Sequence, residues 1–205
     1  MSRYCAQCGK AKKACICAWI QKLTAETELI ILQHPTEVNR AKGTAKILTL
    51  SLTNSHNFVG EDFSTHTELN QLLDDRNYRH LLLYPSQNAI LLGDDLVPTA
   101  ADNKKLRVIL LDGTWKKAYK MYHLSQNLQS LQTYVLPEVL KGNYKIRKAP
   151  DANSLSTVEA GYHALSILEP HVDFLPLLTA FESMVDFYLQ QIPKEVVQHN
   201  YKLSE

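Results

Sequence analysis

A chain of 205 residues, 45% hydrophobic and 21% charged, is long enough to bury one sizeable core and has the composition of a folded globular domain, which excludes fibrous, low-complexity and disordered classes. No apolar run approaches the roughly 18 residues a membrane span needs, and the N-terminus lacks an apolar signal core, so a cytoplasmic protein with no membrane partner is expected. The net charge of +1 conceals a segregation: residues 1–50 carry eight Lys or Arg against three acids, residues 101–150 carry ten against three, and the other two segments are acidic. If folding joins the two basic segments they form a patch suited to a phosphate backbone; chance segregation over solvated faces is the alternative.

The chain opens on Cys5, Cys8, Cys15 and Cys17, its only cysteines, spaced C-x2-C-x6-C-x-C. Four thiolates so spaced can close a tetrahedral shell around Zn2+, and Gly9 permits the tight turn that aims the first pair at one ion. Disulfides are the competing reading, disfavoured in a reducing compartment, and a redox CxxC lacks its usual βαβ setting. Four protein ligands leave no open position, so a structural zinc knuckle over residues 1–20 is expected ahead of a second domain, 21–205. Lys10, Lys12 and Lys13 fall in its loop, where they can touch phosphate.

Residues 28–34, ELIILQH, form an apolar run closed by Pro35 and read as a buried strand. Residues 40–52 have helical content, weakened at the start by Gly43, and residues 67–76 suit a surface helix. Buried strands follow at 79–86, stopped by Pro85, and at 105–112, then at 131–136 before Pro137. The 105–112 run passes through Gly113, Thr114 and Trp115 into a basic helix that opens on Lys116. Ser156 and Glu159 have the spacing of a capping box, in which each side chain satisfies the other residue's orphan N–H. A last helix spans 174–191. Apolar strands alternating with helices define an α/β fold, a mostly parallel sheet with helices on both faces. Ligands of such sheets bind beyond the carboxyl ends of the strands, so HPTE, YPSQN and DGTW mark the candidate edge.

Six blocks, CAQCGKAKKACIC, LQHPTEVNRAKGTAKIL, LLLYPS, LLDGTWKKAYKM, YKIRKAP and LSTVEAGYHAL, resemble in this order those of the DTW-domain family, from Cys5 to about Leu168. That family is similar to the SPOUT methyltransferases, so the resemblance implies a SPOUT-like fold with a C-terminal trefoil knot. Knots are too rare to be expected from periodicity. The implied activity is that of a tRNA-uridine aminocarboxypropyltransferase, which moves the 3-amino-3-carboxypropyl group of S-adenosyl-L-methionine to N3 of a uridine. The implied partner is tRNA.

That reaction requires loss of the N3 proton, and a carboxylate within hydrogen-bond reach can serve as its base. Asp112 is the first candidate and Glu37 the second; for Asp112 the alternative is an N-cap of the helix that follows. Leu111, Gly113, Thr114 and Trp115 share the DTW block. Gly113 permits close backbone approach or a positive φ. Thr114 can donate to the cofactor, and Trp115 can stack on a base or adenine, or else seal the core. Tyr84, Pro85 and Ser86 are cofactor-loop residues by resemblance, and a strand end and turn otherwise. Ser156 and Thr157, at a helix start, suit the cofactor's carboxylate, with Glu159 as capping partner. His34 at a strand end is more often structural than catalytic.

Candidate RNA contacts are Arg40 and Lys42, which begin a helix with Thr44, then Lys116 and Lys117, and the cluster Lys145, Arg147 and Lys148. Arg147 can fork a phosphate, although such runs also occur as solvated loops. Two rival functions share these features. One is a SPOUT-type methyltransferase using the same cofactor, the other a zinc-knuckle RNA-binding protein without catalysis.

Overall fold

The computed structural model describes residues 2–97, 104–137 and 155–191. Among these, six strands pair into one sheet: β1 (Glu28–Gln33), β2 (Ser55–Val59), β3 (Tyr78–Leu83), β4 (Ile90–Leu91), β5 (Lys105–Asp112) and β6 (Thr133–Val135). Their order is β2-β1-β5-β3-β6-β4, and every pairing is parallel. The helices are α1 (Ala45–Ser51), α2 (Thr67–Leu73), α3 (Trp115–Leu124), α4 (Gln126–Gln129), α5 (Thr157–Leu168) and α6 (Leu175–Gln190).

Side chains alternate faces along a strand, and β1, buried at all six positions, divides its residues between two cores. Leu29 and Ile31 join Leu48 of α1, Leu165 of α5 and Phe181 of α6 on one face. Ile30 and Leu32 join Leu69 of α2, Met121 of α3 and Leu128 of α4 on the other. Each of the four fully buried Leu and Ile side chains at the centre of β1 contributes roughly 1.5–3 kcal/mol. Gly161 of α5 lets that helix pack close against α1: a Cβ there would lie 2.9 Å from a Leu48 methyl. The sheet with helices on both faces is as expected. No helix among the described residues is long and apolar enough to cross a membrane.

The structure differs from the sequence expectation in detail. β2 and β4 are strands the hydrophobic pattern does not reveal, because β2 buries only Phe58 and β4 is two exposed residues at the sheet edge. The helix expected from Arg40 begins instead at Ala45. Before it the chain turns in three-residue steps, with Arg40 N donating to Glu37 O (3.0 Å) and Gly43 N to Arg40 O (2.9 Å). Arg40 and Lys42 therefore sit in turns, not at a helix N-terminus. The expected trefoil knot depends on the course of residues 138–154 and 192–205, which lie outside the described residues, as do Lys145, Arg147 and Lys148.

The cysteine knuckle docks on the α1, α5 and α6 core, with Cys8 and Ile16 buried within it. Lys10 is itself buried, and its ammonium donates to the carbonyls of Ala41 (2.6 Å) and Gly43 (3.1 Å). Burial pushes its pKa down. Lys10 thus ties the knuckle to the turn before α1 and is not a phosphate contact, whereas Lys12 and Lys13 are exposed.

The amino end of the sheet holds a buried ion pair. Arg107, 2% exposed, donates from Nε to Glu28 Oε1 (3.0 Å) and from Nη2 to Oε2 (2.9 Å). Its guanidinium lies 3.7 Å from the Tyr78 ring centroid, and Nη1 also reaches the Leu72 carbonyl. Removing one partner strands a buried charge, which costs about 3–5 kcal/mol. Glu28→Gln should therefore lower the melting midpoint by about 6–20 °C; a scan of the variant showing a midpoint unchanged within error would refute this account of the pair.

Candidate functional site

β1 and β5 are neighbours, and their last paired residues are Gln33 and Asp112. From β1 the chain leaves toward β2; from β5 it leaves toward β6, on the opposite side. This divergence is the topological switch point, where the crevice of an open α/β sheet lies. Asp112 stands at its floor, 7% exposed. Gln33 Nε2 donates to Asp112 Oδ2 (2.7 Å), and the hydroxyl of Thr157, first residue of α5, donates to Oδ1. The Gln33 amide is oriented in turn by Asn57, whose Nδ2 donates to Gln33 Oε1 (3.3 Å). A hydrogen-bonded chain thus crosses from β2 through β1 to β5 and the start of α5.

The N-cap position of α3 belongs to Thr114, whose side chain makes no capping bond. Asp112 lies two residues earlier and joins β1 to α5, so the reading of Asp112 as the N-cap of α3 is set aside. Gly113 has no positive φ; among the described residues only Gly9, at 72°, does. A Cβ at Gly113 would approach Lys117 Cβ to 3.0 Å and His34 Cβ to 3.7 Å, so close packing of α3's first turn is the reason for glycine there.

A second polar cluster borders the crevice. His34 is buried, and its Nδ1 accepts from Thr36 N (3.2 Å), which leaves Nε2 to donate to Glu61 Oε1 (2.6 Å). Lys120 donates to Glu61 Oε2 (2.7 Å). Its ammonium first, and His34 second, hold the Glu61 carboxyl below the usual carboxylate range. Lys117 donates to Thr36 Oγ1 and to Glu37 Oε1, both at 2.6 Å, and Arg40 Nε lies 3.7 Å from Glu37 Oε2. Glu37 and Lys117 therefore pair with each other and fasten the turn after β1 to α3. The expected second base and the expected RNA contact thus stand side by side in one ion pair.

The expected cofactor residues divide between core and surface. Tyr84 is buried and stacks on Tyr122 (centroids 4.1 Å apart), and Leu111 packs in the same core. Pro85 is exposed, and the Ser86 hydroxyl bonds that of Thr133 (2.6 Å). Leu83 pairs with Leu110, so Tyr84 to Ser86 run level with Leu111 to Gly113 at the carboxyl end of the sheet. Ser156 forms the full capping box with Glu159, and Thr157 serves Asp112. Both expected cofactor residues thus make hydrogen bonds within the protein. Trp115 is 56% exposed and does not seal the core. Lys116, Arg40 and Lys42 are exposed.

Gln33, Asn57 and Glu61 escape sequence reasoning. The one signal for Gln33 is a polar residue closing an apolar run; Asn57 and Glu61 have none, since their partners are distant in the chain.

In the knuckle the four Sγ atoms lie within 4.8 Å of one another. Cys5 and Cys17 are 3.8 Å apart and Cys8 and Cys15 3.7 Å, too far for a disulfide of about 2.05 Å. A tetrahedron with Zn–S bonds of about 2.3 Å has edges near 3.8 Å, so the donor set fits Zn2+. Backbone hydrogen bonds from Cys8 and Gln7 lower the Cys5 thiol to about 6, and burial pushes Cys17 up to about 12.

The DTW domain matches residues 2–189, and the chain belongs to that family. It is 29% identical over 191 residues to the tRNA-uridine aminocarboxypropyltransferase 2 of Mus musculus, covering 91% of this chain and 63% of that protein. The protein of the same name from Drosophila melanogaster is 33% identical over 173 residues, covering 80% and 66%, and that of Macaca fascicularis 28% over 192, covering 91% and 63%. The chain spans just under two thirds of the length of these relatives. No solved structure matches it significantly.

Proposed function

We propose that this protein transfers the 3-amino-3-carboxypropyl group of S-adenosyl-L-methionine to N3 of a uridine in tRNA. The observation that carries the reading is the Asp112 carboxylate held at the switch point by Gln33 and Thr157, in a chain similar to enzymes named for that transfer. Gln33 and Thr157 orient the carboxylate at the strand end, and that carboxylate is the group we assign to accept the uridine N3 proton. When bound, S-adenosyl-L-methionine supplies the electrophilic carbon: N3 forms the new N–C bond, the C–S bond breaks, and the electron pair leaves with sulfur as methylthioadenosine. Asp112 takes the N3 proton. Thr114, at the mouth of the crevice, is the residue we assign to the cofactor, with the backbone of the Pro85–Ser86 turn, and Trp115 beside it is left for a base.

Arg40, Lys42 and Lys116 are assigned to phosphate, and Lys145, Arg147 and Lys148 join them by the family resemblance. The SPOUT-like relationship and the C-terminal knot are carried over from the family resemblance, and the all-parallel sheet is compatible with the first of them. Zn2+ is assigned to Cys5, Cys8, Cys15 and Cys17 as a structural ion, and thiols kept for a metal suit a reducing cytoplasm.

The test is to incubate the purified protein with unmodified tRNA and S-adenosyl-L-methionine, digest to nucleosides and read the masses. A uridine heavier by one aminocarboxypropyl group is expected; one heavier by only a methyl group would move the chain to the methyltransferases.

A further inference from the structure

α3 leaves the candidate site along an outer face that is aromatic where a surface helix is ordinarily polar. Trp115, Tyr119 and His123 recur every four residues and so form one stripe. Trp115 is 56% and Tyr119 59% exposed, and His123 is exposed beside them. At 1.5 Å per residue the stripe runs about 12 Å, the length of three or four stacked bases. Its rings are already ordered. Tyr119 and His123 lie 4.1 Å apart, His123 meets Tyr122 edge-on at 5.3 Å, and Tyr122 stacks on the buried Tyr84. The ladder thus continues from the core to the surface.

The charge around the stripe selects its occupant. α3 reads WKKAYKMYHL, three lysines and no acid. Lys117 and Lys120 turn to Glu37 and Glu61, whereas Lys116 makes no ion pair among the described residues. Lysines in a first turn oppose the helix dipole, an arrangement that an incoming anion relieves. Exposed aromatic faces flanked by cations, with no carboxylate on the helix, match unpaired bases joined by phosphates.

We propose that the outer face of α3 is a stacking platform for unpaired tRNA bases beside the target uridine, with Lys116 on the phosphate between them. The proposal rests on tRNA being the substrate. Its test is the affinity of the full chain for unmodified tRNA, measured by fluorescence anisotropy over a range of salt. Tyr119→Ala should weaken binding by about five- to 100-fold with an unchanged salt slope and an unchanged melting curve. Tyr119→Phe, which keeps the ring, should restore most of it. Lys116→Gln should reduce the salt slope by about one.

Binding by Tyr119→Ala within twofold of the original chain would overturn the platform. So would unchanged RNA binding accompanied by loss of self-association in sedimentation, which would make the face a protein contact. Product formation separates the two readings. Aminocarboxypropyl-uridine made by the original chain, with tRNA binding indifferent to Tyr119, removes the platform and leaves the transferase. Ring-dependent binding without product does the reverse.

Discussion

Asp112→Asn should lower the transfer rate by about 10²- to 10⁴-fold, the usual contribution of a positioned general base, while leaving tRNA affinity within a few-fold. Asparagine is the informative substitution because Asp112 also holds β1 to α5. An alanine would leave Gln33 Nε2 and the Thr157 hydroxyl without their acceptor, so lost activity would be confounded with lost packing. Asparagine keeps an oxygen for one donor and sets an NH2 against the other. Gln33 cannot simply turn its amide round to compensate, because its Oε1 already accepts from Asn57. One hydrogen bond lost at this site costs about 1–2 kcal/mol, or about 2–8 °C in melting midpoint. A single-turnover rate at saturating tRNA, taken with a melting curve, separates the two effects. A rate within a few-fold of the original would show that Asp112 is a structural tie and not the base.

Cys8→Ser should abolish stoichiometric zinc and lower the melting midpoint by about 10 °C or more, because the binding energy of a structural zinc is folding energy. The effect should extend beyond the knuckle. Cys8 and Ile16 are buried in the core that also contains Leu48, Leu165 and Phe181, and Lys10 grips the turn before α1. A frayed knuckle thus exposes one face of the larger fold and frees the loop that carries Arg40 and Lys42. Elemental analysis showing one zinc per chain in Cys8→Ser would contradict the four-thiolate site.

Much of this organisation is legible in the sequence because it is local. Proline or glycine after an apolar run marks the ends of β1, β3, β5 and β6, and the Ser156–Glu159 box is a four-residue signal that the structure retains. β2 is not legible, because an edge strand that buries one side chain needs no apolar pattern. Asp112 stands out in the sequence as the acid that closes a buried strand, but what holds it does not. Gln33 is 79 residues away and Thr157 45, and only the parallel register of β1 on β5 brings the first of them level. The same limit hides the pairing of Lys117 with Glu37. Both carry the charge of solvated residues, and the close approach of α3 across Gly113 makes them partners. Nor does the sequence reveal that Glu28 and Arg107, 79 residues apart, form the buried ion pair at the sheet's amino end.

The amino acid chain of S-adenosyl-L-methionine, and not its methyl group, is what we propose moves to uridine. This transfer is tested most directly with two preparations of the donor, one labelled in the methyl carbon and the other in the amino acid chain. Each is incubated with this protein and unmodified tRNA. Label from the amino acid chain alone should enter the RNA, with methylthioadenosine released in equal amount. Methyl label in the RNA, with adenosylhomocysteine as the co-product, would contradict the account.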